Sequence, residues 1–140
     1  MSPGIPRIRS SVVCRSNDRL LTLRALEPGE QRELLILPGG AIEAGESPAA
    51  AAVRETLEET GCAIRVDEPP VVKRYQFVWN RKLYDCQTHF FRGHLIDPAA
   101  PPAAVHDEDY LLGVEWMPID AIERTFGEWP AILDAVRQLI

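Results

Sequence analysis

Cysteine is scarce and scattered. The chain has three, Cys14, Cys62 and Cys86, in 140 residues. An odd count with no close pair excludes a disulfide framework and a cysteine-based zinc site, leaving reduced, partly buried thiols as the expectation. No stretch approaches the ~18 consecutive apolar residues of a membrane span. The opening segment Met1–Ser11 carries prolines and arginines but no apolar run, so no signal peptide is expected; the expected location is the cytoplasm. Basic residues are in the minority, 15 Lys and Arg against 21 Asp and Glu, for a net charge of −6. Such a balance argues against a nucleic-acid polymer as partner, because its binders usually carry a basic stripe. A small anionic substrate stays open if a cation neutralises it locally. No internal repeat is present.

What is there fits one soluble domain over residues 1–140, with 46% hydrophobic and 26% charged residues. Strands are expected at Ile8–Cys14, Arg19–Leu23 and Glu33–Leu37, separated by the turn signals Asn17-Asp18 and Glu27-Pro28-Gly29-Glu30. Ser47 as N-cap, Pro48 at the first helical position and Gly61 beyond the last turn bound a helix from Pro48 to Thr60. Val71–Trp79 and Leu83–Ile96 read as a hairpin around Asn80-Arg81-Lys82. A Pro/Ala-rich loop, Pro98–His106, precedes a strand at Leu111–Met117, a helical turn at Ile119–Arg124 and an amphipathic helix at Pro130–Ile140. This mixed alternation points to an α/β sandwich with a mixed sheet.

The segment Arg54-Glu55-Thr56-Leu57-Glu58-Glu59 carries the chemistry. On a helix, Glu55, Glu58 and Glu59 project within an arc of about 100°, with Ala50, Val53, Leu57 and Thr60 expected to face the core. Like charges at this spacing destabilise a helix, more so near its C-terminal end. A bound divalent cation removes that conflict, and hard carboxylate ligands suit magnesium or manganese. The cluster alone reads equally as a solvated acidic face. Gly39-Gly40, after a strand, lets the backbone approach a ligand closely or simply turns the chain. Arg54 can hold a neighbouring carboxylate in a fixed fork.

Taken together, Gly40–Cys62 resembles the Nudix box: a glycine, five residues, Glu46, seven residues, Arg54-Glu55, then Glu58-Glu59 and Gly61. All seven fixed positions match in type and spacing. Thr56 and Cys62 depart from the aliphatic residues usual there, which reads as a packing variation. Leu37-Pro38-Gly39 before the box and Val114–Ile119 near the end extend the resemblance. It implies the Nudix α/β/α sandwich on a mixed sheet and hydrolysis of a phosphoanhydride in a nucleoside diphosphate joined to another group, such as a nucleoside triphosphate, a nucleotide sugar or ADP-ribose. It also implies Mg²⁺, or Mn²⁺, held by Glu55, Glu58, Glu59 and the carbonyl of Gly39. Arg54 and Glu46 would orient those ligands. An acidic residue from a later loop often joins them in this family, with Glu108 as first candidate beside Asp107 and Asp109. Glu58 or Glu59 would serve as the base or orient it. Homodimers are common among members.

For the substrate, Tyr75, Phe77 and Trp79 alternate onto one strand face. Trp79 is a candidate for stacking on a nucleobase, and Arg74, Arg81 and Lys82 are candidates for phosphate contact; Phe77 is expected in the core. His89, His94 and His106 lack the clustered partners of a metal or catalytic site. The competing class is a non-catalytic module that senses a nucleotide, which would bind without turnover. An isomerase acting on an isopentenyl diphosphate fits poorly, since no cysteine–glutamate catalytic loop is evident.

Overall fold

The computed structural model describes residues 3–97 and 109–140. In chain order the strands are β1 (Ile5–Ser16), β2 (Arg19–Glu27), β3 (Arg32–Ile36), β4 (Gly39–Ala41), β5 (Ile64–Val66), β6 (Val71–Trp79), β7 (Lys82–Leu95) and β8 (Leu111–Pro118). The helices are α1 (Pro48–Thr60), α2 (Ile122–Phe126, entered through a 3₁₀ turn at Ile119–Ala121) and α3 (Pro130–Leu139). The expected Pro98–His106 loop lies outside the described residues.

β1 and β7 run parallel, in register from Ile5↔Tyr84 to Cys14↔Gly93. β4 pairs antiparallel with β1 on one side, and β5 and β6 pair antiparallel with β7 on the other. The end of β1 turns through Asn17 into β2, which carries β3 and β8. The sheet is therefore mixed, as the alternation of elements implied. The hairpin between β6 and β7 closes on the two residues Asn80 and Arg81, with φ of 51° and 64°; two positive φ angles match the twist of the flanking strands. Lys82 is thus the first strand residue rather than part of the turn.

Alternation along β1 distributes its side chains to two cores. Val12 and Cys14 pack with Leu21, Ala52, Cys62, Ile64 and Phe91 under α1. Val13 packs with Leu20, Phe90, Met117, Phe126 and Val136 under α2 and α3. Helices thus cover both faces of the sheet. All three cysteines are buried and unpaired, and burial pushes the Cys14 thiol up to about 11. No helix among the described residues is long and apolar enough to cross a membrane.

Helix α1 begins and ends where its caps dictate. The Ser47 side chain accepts from Ala50 N–H at 3.1 Å, and Gly61 closes the last turn in the left-handed region with φ 75°. Its buried face differs from the expected one. Ala51, Ala52, Thr56, Glu59 and Thr60 are buried, whereas Leu57 is 48% exposed. Small side chains let the helix lie close to β1, where Ser10 Oγ donates to Pro48 C=O at 2.7 Å. The rotation that allows this carries Glu59 inward and Leu57 outward.

Candidate active site

β4 is the short edge strand where the site assembles. It was not expected as a strand, because Gly39-Gly40 reads as a turn. Val12 N–H donates to Pro38 C=O and Ile42 N–H to Ile8 C=O. By antiparallel alternation, the amide groups of Gly39 and Ala41 point away from β1. Both are used: Gly39 N–H donates to Glu59 Oε1 at 2.8 Å, and Ala41 C=O accepts from Arg54 Nη2 at 3.1 Å. Backbone packing requires glycine at position 39, and glycine at position 40 leaves room for the Glu55 carboxylate. A Cβ at Gly39 would stand 2.2 Å from Ser10 C=O, and one at Gly40 would stand 2.4 Å from Glu55 Cδ.

Arg54 ties the acidic residues together. Its Nε and Nη2 form a fork to the two oxygens of Glu46, at 2.8 and 3.0 Å. Nη1 donates to Glu55 at 2.9 Å and to Glu58 at 3.2 Å, with Glu43 at 3.8 Å. The hydrogen bond to Glu46 comes first among the causes that raise the guanidinium pKa. In return Arg54, followed by Glu43 N–H, holds the Glu46 carboxyl below its ordinary value. The box residues Glu46, Arg54, Glu55 and Glu58 therefore meet around one cation, and Glu59 is fastened beside them to the strand edge.

Glu55, Glu58 and Glu59 do not converge on one point: among the described residues, no three Asp, Glu, His or Cys side chains form a metal-ligating group. The donor set fits a hard divalent ion in other respects. Four carboxylates surround a single guanidinium, and the last helical turn offers no basic residue. Glu108, the expected later-loop ligand, lies outside the described residues, as does Asp107; Asp109 is exposed.

On the opposite sheet face lies a cleft of ≈ 790 Å³, counted out to its open mouth. Arg7, Arg9 and Ser11 of β1 and Tyr75, Phe77 and Trp79 of β6 form its floor; Leu37, Tyr110, Trp129 and Ile132 wall it. Trp79 stacks on Phe77, with centroids 6.3 Å apart, and meets the edge of Tyr110 at 5.3 Å. Trp79, the candidate for stacking, therefore lines the cleft. Phe77, expected in the core, is a cleft residue leaning on Trp129 at 5.8 Å. The expectation for Arg74 is corrected: it is exposed on the far face of β6, because its parity is opposite to that of Tyr75 and Phe77. Arg81 and Lys82 sit in and beside the hairpin turn and do not line the cleft either. The cleft's cations are Arg7 and Arg9, which the sequence reading passed over. Their i, i+2 spacing was the available signal, but the first strand was drawn to begin at Ile8.

Cleft and carboxylates share the β4 edge. Ser11 pairs with Gly39 and Arg9 with Ala41, the two residues that hold Glu59 and Arg54. The histidines stay apart from this arrangement. His89 Nδ1 lies 3.3 Å from Arg9 C=O, and His94 Nε2 lies 2.7 Å from Asp67; His106 is outside the described residues.

A mixed-sheet α/β/α sandwich with an acidic helix docked on a glycine edge is the class of fold that the structure defines. The family model for the NUDIX domain matches residues 5–137. A NUDIX hydrolase from Nitrosomonas europaea superposes with a TM-score of 0.67 at 25% identity, over 94% of this chain and 86% of the other. A C. elegans Ap4A hydrolase, solved as a binary complex, reaches 0.69 at 16% identity, over 94% and 93%; at that identity the likeness concerns the fold. A MutT-like protein of Streptomyces ambofaciens is 41% identical over 59 residues, 42% of this chain but only 36% of that relative's length. The chain belongs to the NUDIX domain family and stands with its hydrolases.

Proposed function

We propose that the protein hydrolyses a phosphoanhydride bond in a nucleoside diphosphate linked to a further group, with Mg²⁺ or Mn²⁺ as cofactor. The observation that carries this reading is the knot around Arg54, one guanidinium fastening Glu46, Glu55 and Glu58 beside a Glu59 anchored on Gly39 N–H. Glu55, Glu58 and Glu59 would hold the cation, with the carbonyl of Gly39 facing the same edge. When bound, the cation neutralises phosphate charge and lowers the pKa of a water molecule.

The chain's own groups do the rest. Arg54 and Glu46 keep Glu55 and Glu58 in one orientation, which lowers the cost of placing them around a charged substrate. Glu59 is 5% exposed and already accepts an N–H, which suits a fixed ligand. The Glu58 side chain is 40% exposed, open to take a proton from the attacking water. The water oxygen bonds to phosphorus as the bridging oxygen leaves, giving a nucleoside monophosphate and a second phosphorylated fragment. The aromatic cleft receives the nucleoside by stacking.

The test is phosphate-product release from nucleoside triphosphates, nucleotide sugars, ADP-ribose and dinucleoside polyphosphates, with Mg²⁺, with Mn²⁺ and with EDTA. Metal-dependent turnover is expected, and Glu59→Gln should abolish it while keeping an oxygen that accepts from Gly39 N–H. Nucleotide binding without turnover under all conditions would overturn this reading in favour of a sensing module.

A further inference from the structure

The charged side chains of the aromatic cleft are all of one sign, Arg7 and Arg9, with the hydroxyls of Ser11, Tyr75 and Tyr110 as its side-chain acceptors among the described residues. Arg7, Arg9, Trp79 and Trp129 can only donate hydrogen bonds, and among the described residues no Asp, Glu, Asn or Gln lines the cleft. The Tyr75 hydroxyl is engaged with Thr88 Oγ1 at 2.8 Å. Arg7 is held over the Tyr84 ring, 4.8 Å from its centroid. Arg9 Nε is buried with no hydrogen-bond partner. Neither arginine has a carboxylate within 4.0 Å among the described residues, although Arg54, Arg65 and Arg137 all do. A buried donor without an acceptor is a standing cost, relieved by a ligand that brings acceptors.

Nucleobases differ in what they bring. Guanine and hypoxanthine present N7 and O6 side by side, two acceptors that a guanidinium meets with two parallel N–H groups. Adenine replaces O6 with an amino group, which sets donor against donor. Adenine is matched by an Asn or Gln amide, and the described residues of this cleft include neither. The aromatic faces of Trp79, Phe77 and Trp129 stack on any base and so do not discriminate.

We infer that the cleft selects 6-oxopurine nucleotides over adenine nucleotides, with Arg9 reading the N7/O6 edge and Arg7 beside it. This rests on the hydrolase reading only in placing the diphosphate at the β4 edge, one strand pairing from Arg9. Selection itself is legible in binding, without any reaction.

The experiment is titration of the full-length protein in EDTA with GMP, IMP, 7-deaza-GMP and AMP, followed by calorimetry and tryptophan fluorescence. GMP and IMP should bind at least about tenfold more tightly than AMP, the discrimination of one bidentate contact. Loss of N7 in 7-deaza-GMP should remove most of that margin. Arg9→Met should bring GMP and AMP within about twofold of each other. Arg9→Lys, which keeps the charge but not the fork, should do the same and serves if the methionine variant does not fold. AMP binding as tightly as GMP would overturn the inference. So would an Arg9 variant that weakens GMP and AMP equally, since Arg9 would then be contacting phosphate. A protein that prefers GMP but turns over no substrate with metal would sink the hydrolase reading alone.

Discussion

Replacing Gly40 with alanine tests whether the box glycine serves the carboxylates. The new Cβ would stand 2.4 Å from Glu55 Cδ and 2.6 and 2.7 Å from its two oxygens, against 3.4 Å or more in ordinary contact. Glu55 must therefore retreat by roughly 1 Å, or β4 must shift on β1. Either movement disturbs the 2.9 Å bond from Arg54. A misplacement of about 1 Å costs on the order of 10²-fold in rate, while the stability cost is small, since the carboxylate end of Glu55 can swing aside. The assay is metal-dependent turnover of the best substrate alongside thermal unfolding. Gly45→Ala is the control: Gly45 has φ 77° and nothing within 4 Å of its would-be Cβ, so alanine there strains the backbone by about 1–2 kcal/mol without touching Glu55. The expected pattern is the larger stability loss in Gly45→Ala and a large kcat loss in Gly40→Ala alone. A folded Gly40→Ala enzyme with kcat within threefold of the parent would refute the reasoning, as would an equal kcat loss in Gly45→Ala.

Two further outcomes follow from buried polar groups. Thr56 is fully buried and its hydroxyl has no hydrogen-bond partner, so Thr56→Val should stabilise the protein by about 1 kcal/mol, raising Tm by roughly 3–5 °C; a lower Tm would show that the hydroxyl is satisfied in solution. Glu27 accepts backbone N–H groups from Asn80, Gly29 and Glu30, and these, the Asn80 bond foremost, hold its carboxyl below the ordinary value of 4.5. A depressed folded pKa means stabilisation that is complete above about pH 4.5 and fades as pH falls through the lower folded value. The Tm gap between the parent and Glu27→Gln should therefore shrink below that pH, and a gap independent of pH would contradict the assignment.

The chemistry of the site was legible because it is local. Arg54, Glu55, Glu58 and Glu59 share one helix, and Ser47, Pro48 and Gly61 mark its ends. The orientation of that helix was not. Leu57 is the largest apolar side chain of α1, yet tertiary packing favours the small Ala51, Ala52 and Thr56 against β1, and no periodicity count reveals that preference. β4 and β5 are three residues each, too short to show an alternation. The face of β6 that carries Trp79 was legible because strand parity is readable from sequence. Arg7 and Arg9 were missed because their importance arises from a cleft assembled with β6, the segment before β8, and α3.

The parallel pairing of β1 with β7 has a consequence for how the two halves of the site come to exist. Ile5 meets Tyr84 and Cys14 meets Gly93, so this pairing must close a loop of nearly eighty residues, and such long-range contacts are slow to form. The Gly39–Glu59 bond and the Arg54 fork to Glu46 span only 20 and 8 positions, all inside that loop. The carboxylate knot can form early and reopen locally, whereas the cleft cannot exist until β1, the first strand of the chain, has found a partner more than halfway along it. Binding selectivity is thus a late product of folding, and a ligand that fills the cleft clamps a pairing between strands nearly eighty positions apart.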